Sequence, residues 1–114
     1  MIRGFGIAGV LLLSTALSSC TESEEAAERP RPQTHTVIME GMGFRPNVIT
    51  VNAGDSIVWV NRDLVPHSAT SSTAGFDSKV IEAYKSWRHT VDRPGDFAYV
   101  CTFHPTMTAT LHVR

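Results

Sequence analysis

The sequence lacks a charge bias, a long apolar run, a supply of cysteines and any stretch that holds a helical period. Ten Lys and Arg stand against eleven Asp and Glu in 114 residues, a formal charge of −1. With no basic stripe, nucleic acid is not an expected partner. The longest apolar run, Phe5–Leu13, is too short and wrongly flanked for a permanent membrane span. Two cysteines, Cys20 and Cys101, allow at most one disulfide. What is present is an apolar fraction of 42%, ordinary for a soluble folded domain, in a chain long enough for one small domain.

The N-terminus has the three-part layout of an export signal. Met1–Ile2–Arg3 is a short positive start, Phe5–Leu13 the apolar stretch, and small residues follow. It ends in Leu17–Ser18–Ser19–Cys20, which resembles the bacterial lipobox, an aliphatic and two small residues before a cysteine. The resemblance implies a signal peptide over residues 1–19 and lipid on the Cys20 thiol. A thioether at Cys20 cannot pair with Cys101. The alternative is an ordinary signal peptide cut at a small residue nearby. Acylation would tether the chain to the periplasmic side of a bacterial membrane or to the cell surface.

Residues 21–33 read TESEEAAERPRPQ, with four Glu and no large apolar side chain. Such a stretch cannot bury a core and is expected to be a flexible linker, so the lipid-anchored linker runs over residues 20–33. The folded domain is then expected over residues 34–114, where seven Lys and Arg balance seven Asp and Glu.

Within that domain, short β-branched and aromatic runs alternate with turn signals. Strands are expected at Thr36–Glu40, Val48–Val51, Ser56–Asn61, His67–Ser72, Ser86–Val91, Asp96–Cys101 and Thr108–Val113. Asn52–Ala53–Gly54–Asp55 reads as a hairpin loop and Arg93–Pro94–Gly95 as another turn. Thr73–Tyr84 is the least patterned stretch, with a short helical turn expected near Val80–Tyr84. Phe97, Tyr99 and Cys101 share one strand face; Met107, Ala109, Leu111 and Val113 share another. About seven short strands with regular turns predict an all-β Greek-key sandwich.

The chemistry is concentrated in Cys101–Thr102–Phe103–His104–Pro105–Thr106–Met107, which sets a thiolate, an imidazole and a thioether three residues apart. Soft sulfur donors with imidazole select copper, above all copper that cycles between Cu(I) and Cu(II). A trigonal His₂Cys set with a weak axial Met suits both states, and needs a second His from elsewhere. Pro66–His67, after a strand and loop, offers one. Taken singly, Cys101 could be a small buried hydrophobe, Met107 core filler and His104 a loop residue. An exported chain rarely keeps one unpaired cysteine without a use, which favours the joint reading.

With these residues the sequence resembles the blue copper proteins (cupredoxins) of the amicyanin and plastocyanin kind. Phe44–Arg45–Pro46, Val51–Asn52–Ala53–Gly54–Asp55, Trp59–Val60–Asn61, Pro66–His67 and the Cys–x–x–His–x–x–Met loop carry the resemblance. It implies two packed sheets with one copper ion near one end, His67, Cys101 and His104 as equatorial ligands and Met107 as the axial one. Ser68 stands where many relatives have Asn, and would tie the two ligand loops by a shorter hydrogen bond and tune the Cys101 sulfur. Ala109 stands where relatives commonly carry Gly.

The resemblance further implies a one-electron carrier, not an enzyme, that docks transiently on redox protein partners as a monomer. His104 would be the electron port, surrounded by Phe103, Pro105 and Pro66. The alternative is a module that delivers, stores or buffers copper without redox duty. His35 and His112 are expected to face solvent and His89 to be half buried, while Met39 and Met42 are expected to pack beside a Gly turn.

Overall fold

Strand-forming residues between 34 and 113 build nine strands in the computed structural model, which describes residues 3, 4, 6, 9–16 and 31–114. The chain divides into two units, Met1–Pro30 and Arg31–Arg114. In the first, the described residues form no helix or strand, and Val10, Leu11, Leu12 and Leu13 are exposed. Cys20, with residues 17–30, lies outside the described residues.

In the second unit the strands are β1 (Thr34–Glu40), β2 (Gly43–Arg45), β3 (Val48–Val51), β4 (Ser56–Asn61), β5 (Thr70–Ser71), β6 (Phe76–Asp77), β7 (Ser86–Thr90), β8 (Gly95–Val100) and β9 (Thr108–Val113). They form two sheets, ordered β2-β1-β4-β7 and β3-β9-β8-β5-β6, and the described residues contain no helix. The architecture is the all-β sandwich expected from the strand pattern.

Alternation along the strands decides which face is buried. Val37 and Met39 of β1, Ile57 and Trp59 of β4, Tyr99 of β8 and Leu111 of β9 are all at most 1% exposed. Trp59 joins the sheets, stacking on Trp87 at 5.4 Å and meeting the edge of Tyr99 at 5.7 Å. Phe44 closes on Tyr99 at 4.7 Å from the other side. Offset and edge-on contacts of this kind add to what burial alone contributes.

Register fixes the two ends of the sandwich. β1 and β4 run parallel, from Thr34 beside Ser56 to Met39 beside Asn61. The β1–β2 turn and the loop after Asn61 therefore emerge at one end, and the start of β1 lies at the other. β8 and β9 are antiparallel, with Val100 opposite Thr108, so residues 101–107 close that hairpin.

Several local expectations are corrected. Asn52–Asp55 does not join a hairpin, because β3 pairs with β9 in one sheet and β4 with β1 and β7 in the other. The turn at Arg93–Gly95 likewise carries the chain from β7 in one sheet to β8 in the other. A turn signal is local, whereas the choice of sheet follows from which apolar faces meet. Val80–Tyr84 forms no helical turn: Ile81 is 3% exposed and bridges His67, with Ile81 N donating to His67 O at 2.7 Å. Burying Ile81 and pairing its backbone outweigh a single unsupported helical turn. Met39 is buried, but Met42 is 47% exposed, because Gly41 and Met42 both take positive φ in the β1–β2 turn and turn its side chain outward. His35 is partly buried rather than solvent-facing, held at 2.9 Å by the Asp55 carboxylate.

Candidate metal centre

Cys101 follows β8 with the inward parity of Tyr99 and is fully buried. The loop behind it is cross-braced by its own backbone. Cys101 N donates to Met107 O at 3.0 Å, Met107 N to His104 O at 2.9 Å and His104 N to Cys101 O at 3.3 Å. These bonds account for the three-residue spacing, since each donor-bearing side chain sits at a braced position. Met107 is 2% exposed, while His104 is only partly buried.

His67 arrives on a separate loop that Asn61 organises. Asn61 is fully buried; its Nδ2 donates to Val65 O at 2.9 Å and to Ile81 O at 3.0 Å, and its Oδ1 accepts from Asp63 N at 2.9 Å. With the Ile81 bridge, this fixes His67, whose side chain is fully buried.

The fold brings these two loops together. His67 Nδ1 lies 3.7 Å from Cys101 Sγ, a buried contact loose for a hydrogen bond even with sulfur. If one ion bound both atoms at roughly 2.0 Å to nitrogen and 2.3 Å to sulfur, that separation would subtend an angle of about 120°. The pair thus fits two corners of a trigonal His₂Cys site. The His104 ring meets the His67 ring edge-on at 5.2 Å, so the third predicted donor flanks the pair. Among the described residues no three His, Cys, Asp or Glu converge as a finished cluster. The set thus consists of one close N–S pair, a neighbouring imidazole and a buried thioether.

The far side of His67 holds a residue that sequence reasoning missed. His67 Nε2 is 2.7 Å from Asp63 Oδ2, and because the carboxylate only accepts, the ring donates there. In a neutral ring that bond leaves Nδ1, which faces the sulfur, with its lone pair free. Asp63 also accepts from Gly41 N at 2.9 Å and Met42 N at 3.2 Å. Burial raises the Asp63 pKa, but the bonds from His67 and the two backbone N–H groups outweigh it and hold the carboxyl below its usual range. The four-residue spacing of Asp63 and His67 was the available signal, since ligating histidines commonly lean on a carboxylate.

Ser68 links the two loops. Its backbone N donates to Cys101 Sγ at 3.3 Å, and its Oγ accepts from Thr102 N at 2.9 Å and contacts Thr102 Oγ1 at 2.9 Å. Thr102 is the second residue that the sequence did not single out. Around partly buried His104, the side chains of Pro66, Phe103 and Pro105 are exposed. The His67 loop adds Leu64, 81% exposed, and Val65, 40% exposed.

Comparison with known proteins identifies the family of the fold. Residues 8–113 match the family model described as cupredoxin-like domain. The chain is similar to amicyanin-alpha of Methylorubrum extorquens, 26% identical over 90% of each chain. It is also similar to plastocyanin of Nostoc punctiforme, 28% identical over 90% of this chain and 86% of that one. A solved structure of the Cu(I) form of an amicyanin mutant superposes with a TM-score of 0.66 at 25% identity, covering 78% of this chain and 89% of the other.

Proposed function

The chain belongs to the cupredoxin-like domain family, and from that premise we propose that it is a type 1 copper protein carrying single electrons, not an enzyme. The observation that carries this reading is the buried His67 Nδ1–Cys101 Sγ contact with Asp63 behind the imidazole. Names of relatives, amicyanin and plastocyanin, support the same assignment.

In this reading His67, Cys101, His104 and Met107 would hold the copper. Bound copper supplies a one-electron couple. The residues themselves do the rest. Asp63 keeps the His67 proton on Nε2, so that Nδ1 remains a donor. Ser68 N–H withdraws charge from the Cys101 sulfur, and hydrogen bonding there shifts the balance toward the reduced state. The braced 101–107 loop resists rearrangement between the two oxidation states. His104 offers the least buried path to the centre, within an apolar rim of Pro66, Phe103 and Pro105 suited to brief docking of a redox protein.

We read residues 1–19 as a lipoprotein signal, Cys20 as the lipid attachment and residues 20–33 as the linker to the copper domain. The start of β1 lies at the end of the sandwich away from the β1–β2 turn that binds Asp63. The acylated protein would work on the periplasmic side of a bacterial membrane or at the cell surface. Replacing Cys20 with Ala is expected to release the protein from membranes; continued lipid labelling would refute the anchor.

Cys101→Ser is the test of the site. It is expected to abolish the intense thiolate-to-Cu(II) absorption, and a blue band that survives would remove Cys101 from the ligand set. A protein built to deliver copper would surrender the ion readily to an acceptor and need not cycle reversibly.

A further inference from the structure

A row of hydroxyls runs outward from the copper-ligand loops to a surface carboxylate, and the carboxylate dictates the direction of every bond in it. Thr70 and Asp77 face each other across the β5–β6 pair, and Thr70 is also paired with Val100, just before Cys101. Thr70 Oγ1 donates to Asp77 Oδ1 at 3.2 Å. A hydroxyl has one proton and an ionised carboxylate has none, so the Thr70 proton is committed. The Ser68 Oγ–Thr70 Oγ1 contact at 3.0 Å must therefore use the Ser68 proton. The Ser68 Oγ–Thr102 Oγ1 contact at 2.9 Å must then use the Thr102 proton. Ser68 Oγ also accepts from Thr102 N, which fills both its lone pairs.

The order that results is Thr102 to Ser68 to Thr70 to Asp77, with no hydroxyl free to turn. Lys79 secures the outer end, its backbone N donating to Asp77 Oδ1 at 2.8 Å and its Nζ to Oδ2 at 3.0 Å. Those two bonds keep the carboxyl below its usual range and so ionised at neutral pH. At the inner end, fixing the Ser68 side chain also fixes the peptide whose N–H meets Cys101 Sγ.

We propose that Asp77 is a positioning residue for the copper centre: acting through Thr70 and Ser68, it clamps the His67–Ser68 loop to the Cys101–Thr102 loop and holds the Ser68 N–H on the sulfur. The role as regards copper rests on the function proposed above, while the clamp itself is a property of the chain alone.

The test compares Asp77→Asn, Asp77→Leu and Thr70→Val in the full chain. Asn keeps an acceptor oxygen and Leu does not, yet both remove the charge, so a difference between them reports the hydrogen bond. The first readout is Ser68 amide hydrogen exchange in the metal-free protein. Asp77→Leu and Thr70→Val are expected to exchange about tenfold faster, the size of one lost hydrogen bond, and Asp77→Asn at the parental rate. The second readout is the reduction potential of the copper-loaded protein, expected to fall in the same two variants and to stay in Asp77→Asn. Unchanged Ser68 exchange in both disrupting variants would overturn the clamp, as would Asp77→Asn matching Asp77→Leu. Faster exchange in Asp77→Leu and Thr70→Val, with no blue copper band in the parent, would uphold the clamp and defeat the copper assignment instead.

Discussion

The two ends of the sandwich use the same device for different purposes. At one end Asp63 accepts from His67 Nε2 and from the backbone N–H groups of Gly41 and Met42. At the other, Asp55 contacts His35 Nε2 at 2.9 Å and accepts from Gln33 N at 2.8 Å and Asn52 N at 3.0 Å. Each carboxylate thus pins one imidazole and two peptide groups, at least one of the three from more than twenty residues away. What separates them is the other imidazole nitrogen. His67 is fully buried with Nδ1 against Cys101 Sγ, whereas the His35 side chain is 23% exposed and makes no other side-chain bond among the described residues. An Asp–His pair is a candidate metal support only where the free nitrogen looks onto another soft donor; elsewhere it is a clasp.

The sharpest way to break this comparison is to neutralise each aspartate in turn and measure copper affinity by chelator competition. Asp63→Asn is expected to weaken binding by about 10- to 100-fold, the usual cost of removing a carboxylate behind a ligating histidine. Asp55→Asn should leave affinity unchanged. Equal losses would mean that both ends act only through overall stability.

Acid unfolding reverses the ranking. The peptide N–H of Gln33, then His35 and the peptide N–H of Asn52, lower the Asp55 pKa from 3.8 to about 2. A carboxyl with a folded pKa below its unfolded value stabilises the fold above the unfolded pKa. That stability is lost as pH falls from 3.8 through about 2. Denaturant melts of the metal-free protein over that window should show a steeper loss in the parent than in Asp55→Asn. Parallel curves would show that the clasp adds nothing to the fold.

The smallest effect is expected at a third Asp–His pair, His112 Nδ1 with Asp96 Oδ1, whose side chains are 39% and 80% exposed. Asp96→Asn should change stability by no more than about 1 kcal/mol and leave copper affinity unaltered, as is usual for exposed pairs. A larger change in melting would place that sheet face among the structural clasps.

What the sequence reveals follows the range of each interaction. The 101–107 loop could be picked out as a candidate site because Cys101, His104 and Met107 are spaced along one backbone segment, and that segment braces itself. The sandwich could be read because strand alternation records which faces are buried. The turn at Asn52–Asp55 misled, because Gly and Asp signal a reversal without saying which sheet receives the next strand. Val80–Tyr84 misled in the same way, since Ile81 is claimed by a backbone bridge to His67, fourteen positions earlier in the chain. Asp63 was hidden because two of its three donors, Gly41 N and Met42 N, come from a turn more than twenty residues away. The hydroxyl row from Thr102 to Asp77 was hidden for the same reason: Ser68 and Thr102 are 34 positions apart.

The central claim is a copper ion held between His67 Nδ1 and Cys101 Sγ and used for single-electron transfer. Its most direct test is a redox titration of the copper-loaded full chain, followed by visible absorption. The account predicts an intense blue band from the Cu(II)–thiolate bond that bleaches with one electron per protein and returns fully on reoxidation. A colourless or weakly absorbing Cu(II) complex, or loss of copper on each reduction, would contradict it.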